Sequence, residues 1–495
     1  MTRTRPRFDW LPVLVLWASC VCLHAAAPPA KGLSLKQLQE ELQKLAGSPA
    51  LQRASFGVAV MDLTNGEWLF DHNADGLLSV ASNNKLATTA AALDLLGPDF
   101  QFRTTVCAVG RIVRGTLEGD LLVVGRGDPS ISGRFHEGKT TAVLEKWADA
   151  VAAAGIKTVR GGILADDTYF DRQHHHPMWP EAQQTAWYCA SVSALSFNDN
   201  CVLLTVKPGA KRDAPAIVSV DPPTGYVQIV NQCHTSRARV GKNTVLVNRR
   251  LSSNLITVSG EIREQGAAFQ TWVTVHEPAL YAITAFRDVL QGKGIAVGGT
   301  LALRTPTTRI APADSRELIT TASPLKDAVE VANGHSHNFY AEQILKTLAR
   351  EKKGQGSFVA GAQVVEAFLR TAGVTGVFSY NDGSGLARPD RFSPRQIVQL
   401  LKYMAPRPTG KAYIQSLAEP GEAGGTLARR LDPLKGRIFA KTGYIAGVSA
   451  LSGYVEARKK RRLAFSILVN DFRSALADVR KVQDSICLKL AEYEP

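Results

Sequence analysis

Between residues 102 and 316 the chain changes texture, and this interruption constrains its fold more than any other feature. Outside the block, apolar residues recur at helical spacing. Inside it, short β-rich runs dominate, at 121–124, 202–206, 245–247 and 255–258, punctuated by Gly, Pro, Asn and Asp. Two helical stretches, 142–154 and 282–290, break the pattern. The block reads as one or two inserted domains of mixed α and β structure, two subdomains being favoured, and a 495-residue chain is too long for one core in any case.

The flanks read as two halves of one unit. On the N-terminal side, Leu35, Leu38, Leu42 and Leu45 make a helical stripe that Gly47 and Pro49 stop. Residues 56–63 form a predicted strand, and Asn65-Gly66 is a strong hairpin signal before Trp68-Leu69-Phe70. An Ala- and Leu-rich helix then starts at Ser82 and closes at Gly97-Pro98. On the C-terminal side, helices are expected at 325–331, 339–348 and 360–372, strands at 437–441, 448–455 and 464–469, and a last helix at 474–490. This pattern implies an α/β (α+β) core domain built from 33–101 and 317–495, with 102–316 inserted into it.

Arg3, Arg5 and Arg7 precede an apolar stretch at 11–23, followed by His24-Ala25-Ala26-Ala27. That order reads as a signal peptide over 1–27, with secretion to the periplasm or cell envelope and no membrane span after cleavage. Cys20 and Cys22 would leave with it, so the other five cysteines leave at least one unpaired within the chain. None has C-x-x-C spacing, and no metal or cofactor is expected. The net charge of +14 suits anionic envelope polymers better than nucleic acid. The run Lys459-Lys460-Arg461-Arg462 reads as a solvated hairpin tip. His174-His175-His176 reads as a surface loop, because consecutive side chains diverge. Gly125-Arg126-Gly127 is too short for a dinucleotide loop.

Three ordered patterns carry the chemistry. Ser82 and Lys85, three residues apart on a helix, put a hydroxyl and an amine on one face. An amine can activate a serine only where burial or a neighbouring cation lowers its pKa. Ser323-x-x-Lys326 has the same spacing, but Pro324 marks Ser323 as a helix N-cap. Ser336-His337-Asn338, between helical segments, is either a cap or a hydroxyl and amide brought into a cleft. Lys441-Thr442-Gly443 lies on a predicted strand, where a lysine and a hydroxyl could clamp a carboxylate and glycine admits a close-lying peptide.

The ordered set S-x-x-K, S-x-N, K-T-G resembles that of β-lactamases and penicillin-binding proteins. Over nearly all the sequence after residue 27, the chain is similar to the class C low-molecular-mass penicillin-binding proteins, the D-alanyl-D-alanine carboxypeptidase/endopeptidase family. The similarity is carried by Val80-Ala81-Ser82-Asn83-Asn84-Lys85-Leu86, by Ser336-His337-Asn338-Phe339-Tyr340-Ala341-Glu342 and by Lys441-Thr442-Gly443 with the segment after it. Asp382-Gly383-Ser384-Gly385-Leu386 matches a further family element, a loop bordering the cleft, and the long gap between Lys85 and Ser336 separates class C from compact β-lactamases. His337 and Tyr444 depart from the family pattern, which more often has an acidic residue and a threonine there.

The resemblance implies a penicillin-recognising serine transpeptidase-like core, an antiparallel sheet flanked by helices. It implies Ser82 as nucleophile and Lys85 as base, with Lys441 the cation that depresses the pKa of Lys85. Ser336 would relay a proton to the leaving amine, and Asn338 would hold substrate and Lys85. Lys441, Thr442 and Gly443 would bind substrate, and the backbone N–H groups of Ser82 and Tyr444 would form the oxyanion hole. The implied partners are peptidoglycan stem peptides, with β-lactams as covalent inhibitors. A β-lactamase or esterase on the same fold, or a silent envelope-binding protein, are the alternatives. No E-x-x-L-N string points to a β-lactamase deacylation loop.

Overall fold

Strand Ser55–Asp62 pairs with Arg462–Asn470 along its whole length, so the two ends of the chain close one sheet. This computed structural model describes residues 32–236, 242–305 and 315–495, and the proposed signal peptide lies outside them. The sheet is antiparallel and five-stranded, in the order Ile438–Ile445, Val448–Glu456, Arg462–Asn470, Ser55–Asp62, Glu67–His72. A four-residue loop between Asp62 and Glu67 turns the first hairpin, with Gly66 at φ 77° as its left-handed residue.

Both faces of this sheet are covered, which explains its nearly continuous apolar strands. Successive residues point to opposite sides. Val58, Val60, Ile467 and Val469 pack with Leu38, Leu42, Ile486 and Leu490 of the terminal helices Leu35–Ala46 and Leu476–Glu492. Ala59, Met61 and Leu468 face the other way, toward Leu401 and Met404 of helix Pro394–Met404 and the Ala-rich helix Lys85–Leu96. The latter is buried almost all round, as its lack of a polar face demands. Helices Leu325–Gly334, Asn338–Lys353 and Phe358–Thr371 complete that layer.

A separate apolar cluster fills the intervening block, built from residues such as Val106, Leu121, Trp147, Phe197, Val258 and Phe286. It lies among a seven-stranded mixed sheet and two three-stranded sheets. Strand Ser315–Pro324 returns beside Gln101–Val113, so the chain leaves and re-enters this block on adjacent strands.

Several local expectations change. Ser323 is not a helix cap: it lies in strand Ser315–Pro324 opposite Phe102, and its hydroxyl donates to the buried Asp128 carboxylate at 2.7 Å. The long-range pairing overrides the local Ser-Pro signal. His176 is buried against Trp179 and Phe358, and burial pushes His175 down to about 4, so this triplet is packed rather than a surface loop. The basic run does form the turn Arg458–Lys460, yet Arg461 reaches the buried Asp62 at 2.6 Å. Helix Pro394–Met404 adds an element to those expected: Ser393 and Gln396 form its capping box, with Pro394 in the first turn. Cys107, Cys189, Cys201, Cys233 and Cys487 are free and buried. No helix among the described residues is long and apolar enough to cross a membrane.

Candidate active site

Ser82 stands in a single tight turn, Ala81–Asn84, which runs directly into helix Lys85–Leu96. The turn is 3₁₀ rather than α, and Ala81 enters it at φ 45°. Ser82 and Lys85 still share a face, and Nζ of Lys85 lies 2.9 Å from Oγ of Ser82. Two anchors hold the turn. Nδ2 of Asn83 donates to Ser452 Oγ at 2.6 Å, and Nδ2 of Asn84 donates to the Asp382 carbonyl at 2.6 Å.

Lys85 is wholly buried and has two further contacts, Asn338 Oδ1 at 2.7 Å and the Ser384 carbonyl at 2.8 Å. Both of these atoms can only accept. A neutral amine that donates to both therefore turns its lone pair toward the Ser82 hydroxyl. Burial depresses the Lys85 amine to about 7, while the negative charge of Asp382 and Glu342 pushes back. The repulsion expected from Lys441 registers on Lys441 itself, which burial and the charge of Lys85 push well below the ordinary lysine range. Burial, not Lys441, is thus the chief cause of the Lys85 shift.

Lys441 lies on the outer strand of the five-stranded sheet. Its Nζ donates to Ser336 Oγ at 2.8 Å and to the Thr442 carbonyl at 2.8 Å. Ser336 adopts φ 60°, a conformation uncommon for a serine, immediately before helix Asn338–Lys353. Asn338 opens that helix, and its Nδ2 donates to the Tyr188 carbonyl at 2.9 Å. Gly443 permits the outer strand to approach the nucleophile turn: a Cβ there would lie 2.8 Å from the Val80 carbonyl oxygen. Tyr444 is half exposed at the cleft edge. Ser82, Ser336, Asn338 and Tyr444 line one cavity of about 510 Å³, with Tyr188 and Leu386 also in its wall.

Ser82, Lys85, Ser336, Asn338, Lys441 and Tyr444 therefore meet in one region, with Thr442 and Gly443 on the strand between the last two. Sequence reasoning missed the groups that hold them. Asp382 accepts from the N–H groups of Gly385 and Ala387 and from the Trp179 indole at 2.7 Å. Glu342 accepts from the N–H groups of Gly383 and Ser384 at 2.9 and 2.8 Å. Burial and the charge of Asp382 push the Glu342 carboxyl above its ordinary range. These carboxylates shape the loop that presents the Ser384 carbonyl to Lys85. The D-G-S-G-L string marked the loop, but nothing in the sequence marked a backbone carbonyl as a lysine partner. His337 points away from the cleft contacts of its neighbours, with Nε2 3.3 Å from Oδ2 of Asp199 and its ring against Trp187 and Tyr340.

The D-alanyl-D-alanine carboxypeptidase of Actinomadura sp. (strain R39) is 36% identical to this chain, across 98% of this chain and 89% of that protein. D-alanyl-D-alanine carboxypeptidase DacB of Haemophilus influenzae is 24% identical across 85% of this chain and 86% of its own length. The crystal structure of penicillin-binding protein 4 (dacB) from Haemophilus influenzae has a similar fold, with a TM-score of 0.77 at 22% identity, covering 91% of this chain and 99% of that one. The family described as D-Ala-D-Ala carboxypeptidase 3 (S13) matches residues 38–493, and the buried lysine against its serine sits inside that span. This chain belongs to the S13 family of serine D-Ala-D-Ala carboxypeptidases, the low-molecular-mass penicillin-binding proteins.

Proposed function

We propose that this chain removes the terminal D-alanine of peptidoglycan stem peptides through an acyl-enzyme on Ser82, and that β-lactams trap it at that stage. The observation that carries this reading is the 2.9 Å contact between the Ser82 hydroxyl and a buried Lys85 whose other partners are acceptors. Ser82 Oγ attacks the carbonyl carbon of the penultimate D-alanine while its proton passes to neutral Lys85. The developing oxyanion is met by the backbone N–H groups of Ser82 and Tyr444. The C–N bond then breaks, and the departing amine takes its proton through Ser336, which Lys441 holds at 2.8 Å. Water cleaves the ester, releasing the shortened peptide and restoring Ser82. Lys441 and Thr442 receive the terminal carboxylate, and Asn338 holds the peptide amide against Lys85.

Residues 33–101 and 317–495 form the catalytic domain in this reading, and 102–316 an inserted region of two subdomains. The separate apolar cluster of the block supports setting it apart from the catalytic domain. The basic-then-apolar N-terminus supports export and action in the cell envelope.

Incubation with a fluorescent penicillin, with a pentapeptide assay alongside, tests the mechanism. A stable adduct and D-alanine release, both lost in Ser82→Ala, are expected. Labelling without release would make the chain a silent binding protein, and rapid loss of label would make it a β-lactamase.

A further inference from the structure

A second cavity, of about 650 Å³, adjoins the acyl cleft and shares Trp187 and His335 with it. The hydrolysis outlined above makes no use of it. Its most unusual feature is a pair of tryptophans. Ala186 and Val273 form an antiparallel bridge, and the residues beside them, Trp187 and Trp272, both line the cavity. They remain 40% and 41% exposed, though each could bury a large apolar surface. Trp187 is fixed from behind, its ring centroid 5.3 Å from that of His337.

The polar part of the wall narrows the choice of ligand. The Arg134 guanidinium is already engaged by Asp199 at 2.9 Å, and Asp221 adds a second carboxylate. Such a lining disfavours the carboxylates of a peptide strand. A sugar ring carries none. One of its faces is a sheet of C–H groups that packs on an indole, and its hydroxyl and acetamido groups can meet Asp221, Thr140 and Asn198.

We propose that this cavity is a carbohydrate subsite that holds an N-acetylated sugar of the glycan to which the stem peptide is attached. The inference rests on the stem-peptide reading above. The acyl part of a stem, four residues long, reaches about 14 Å when extended, enough to leave the cleft at Ser82 and enter an adjoining cavity. Binding there would lower KM for glycan-borne peptides without touching the chemical step.

The test compares wild type with Trp272→Ala on one pentapeptide, presented free or on an N-acetylglucosaminyl-N-acetylmuramyl disaccharide. Wild type is expected to show a KM about tenfold lower for the glycan-borne form. Trp272→Ala should erase that difference while leaving the rate of penicillin labelling and kcat on free peptide unchanged. Titration with the disaccharide alone, read by tryptophan fluorescence, should respond in wild type and fail in the variant. Equal KM values with no fluorescence response would overturn the proposal. So would a Trp272-dependent preference for a sugar-free cross-linked peptide, which would assign the cavity to peptide. If no D-alanine is released from any substrate, the stem-peptide reading fails, and the titration still decides the sugar site on its own.

Discussion

Nε2 of His337 lies 3.3 Å from Oδ2 of Asp199, a partly buried carboxylate that also accepts from Arg134 at 2.9 Å. Asp199 sits in a stretch, Asn198, Asp199 and Asn200, where all three residues have positive φ, at 51°, 54° and 54°. The three consecutive residues of the second motif are thus held from three directions: Ser336 by Lys441, His337 by Asp199, Asn338 by the Tyr188 carbonyl. Two of these grips come from the intervening block. Asp199→Asn should keep an acceptor for His337 but remove the countercharge of Arg134; Asp199→Ala removes both. Turnover of pentapeptide should fall in the order wild type, Asn, Ala, the last by about a hundredfold in kcat with little change in KM. Unchanged kcat in Asp199→Ala would show that the grip has no part in positioning the motif.

The pH dependence of acylation follows from Lys85. A base must be neutral, and burial places this amine at about 7. The second-order rate of penicillin labelling should therefore rise about tenfold per pH unit in the acid range and level off above about pH 7. A labelling rate that is flat from about pH 5 to about pH 9 would contradict a lysine base.

Asp199 also sets an acid limit on stability. Although burial opposes its charge, His337 and Arg134 hold it down to about 2. A depressed carboxyl contributes stability that is fully present above its unfolded pKa and is lost as pH falls through the folded value. The contribution, about 2 kcal/mol, should be present near neutrality and disappear between about pH 4 and about pH 2. Urea unfolding of wild type and Asp199→Asn across that window should show two curves converging toward the acid end.

Gly385 separates strain from collision. It has φ 79°, and a Cβ there would lie 1.9 Å from the carbonyl oxygen of Ala81, the residue before Ser82. Gly385→Ala should cost more than about 2 kcal/mol and slow penicillin labelling sharply, because the nucleophile turn must move. Gly373 has φ 80°, but a methyl added there would meet nothing within 4 Å, so Gly373→Ala should cost about 1 kcal/mol and leave labelling intact. Thermal melts paired with labelling rates check both.

What the sequence determined by itself was whatever depends on neighbours along the chain. The spacing of Ser82 and Lys85 specified their contact whether the turn was α or 3₁₀. Alternating and helical apolar periods specified the strands at both ends and the helices between them, because each element must bury one face. The tertiary structure decided which distant groups complete the site. Ser384 and Tyr188 act through main-chain carbonyls, which every residue possesses and no side chain announces. The depression of Lys85 depends on what covers it, and the reversal at Ser323 on a strand more than two hundred positions earlier. Local spacing can specify a hydroxyl beside an amine, but desolvation and long-range pairing belong to the folded chain alone.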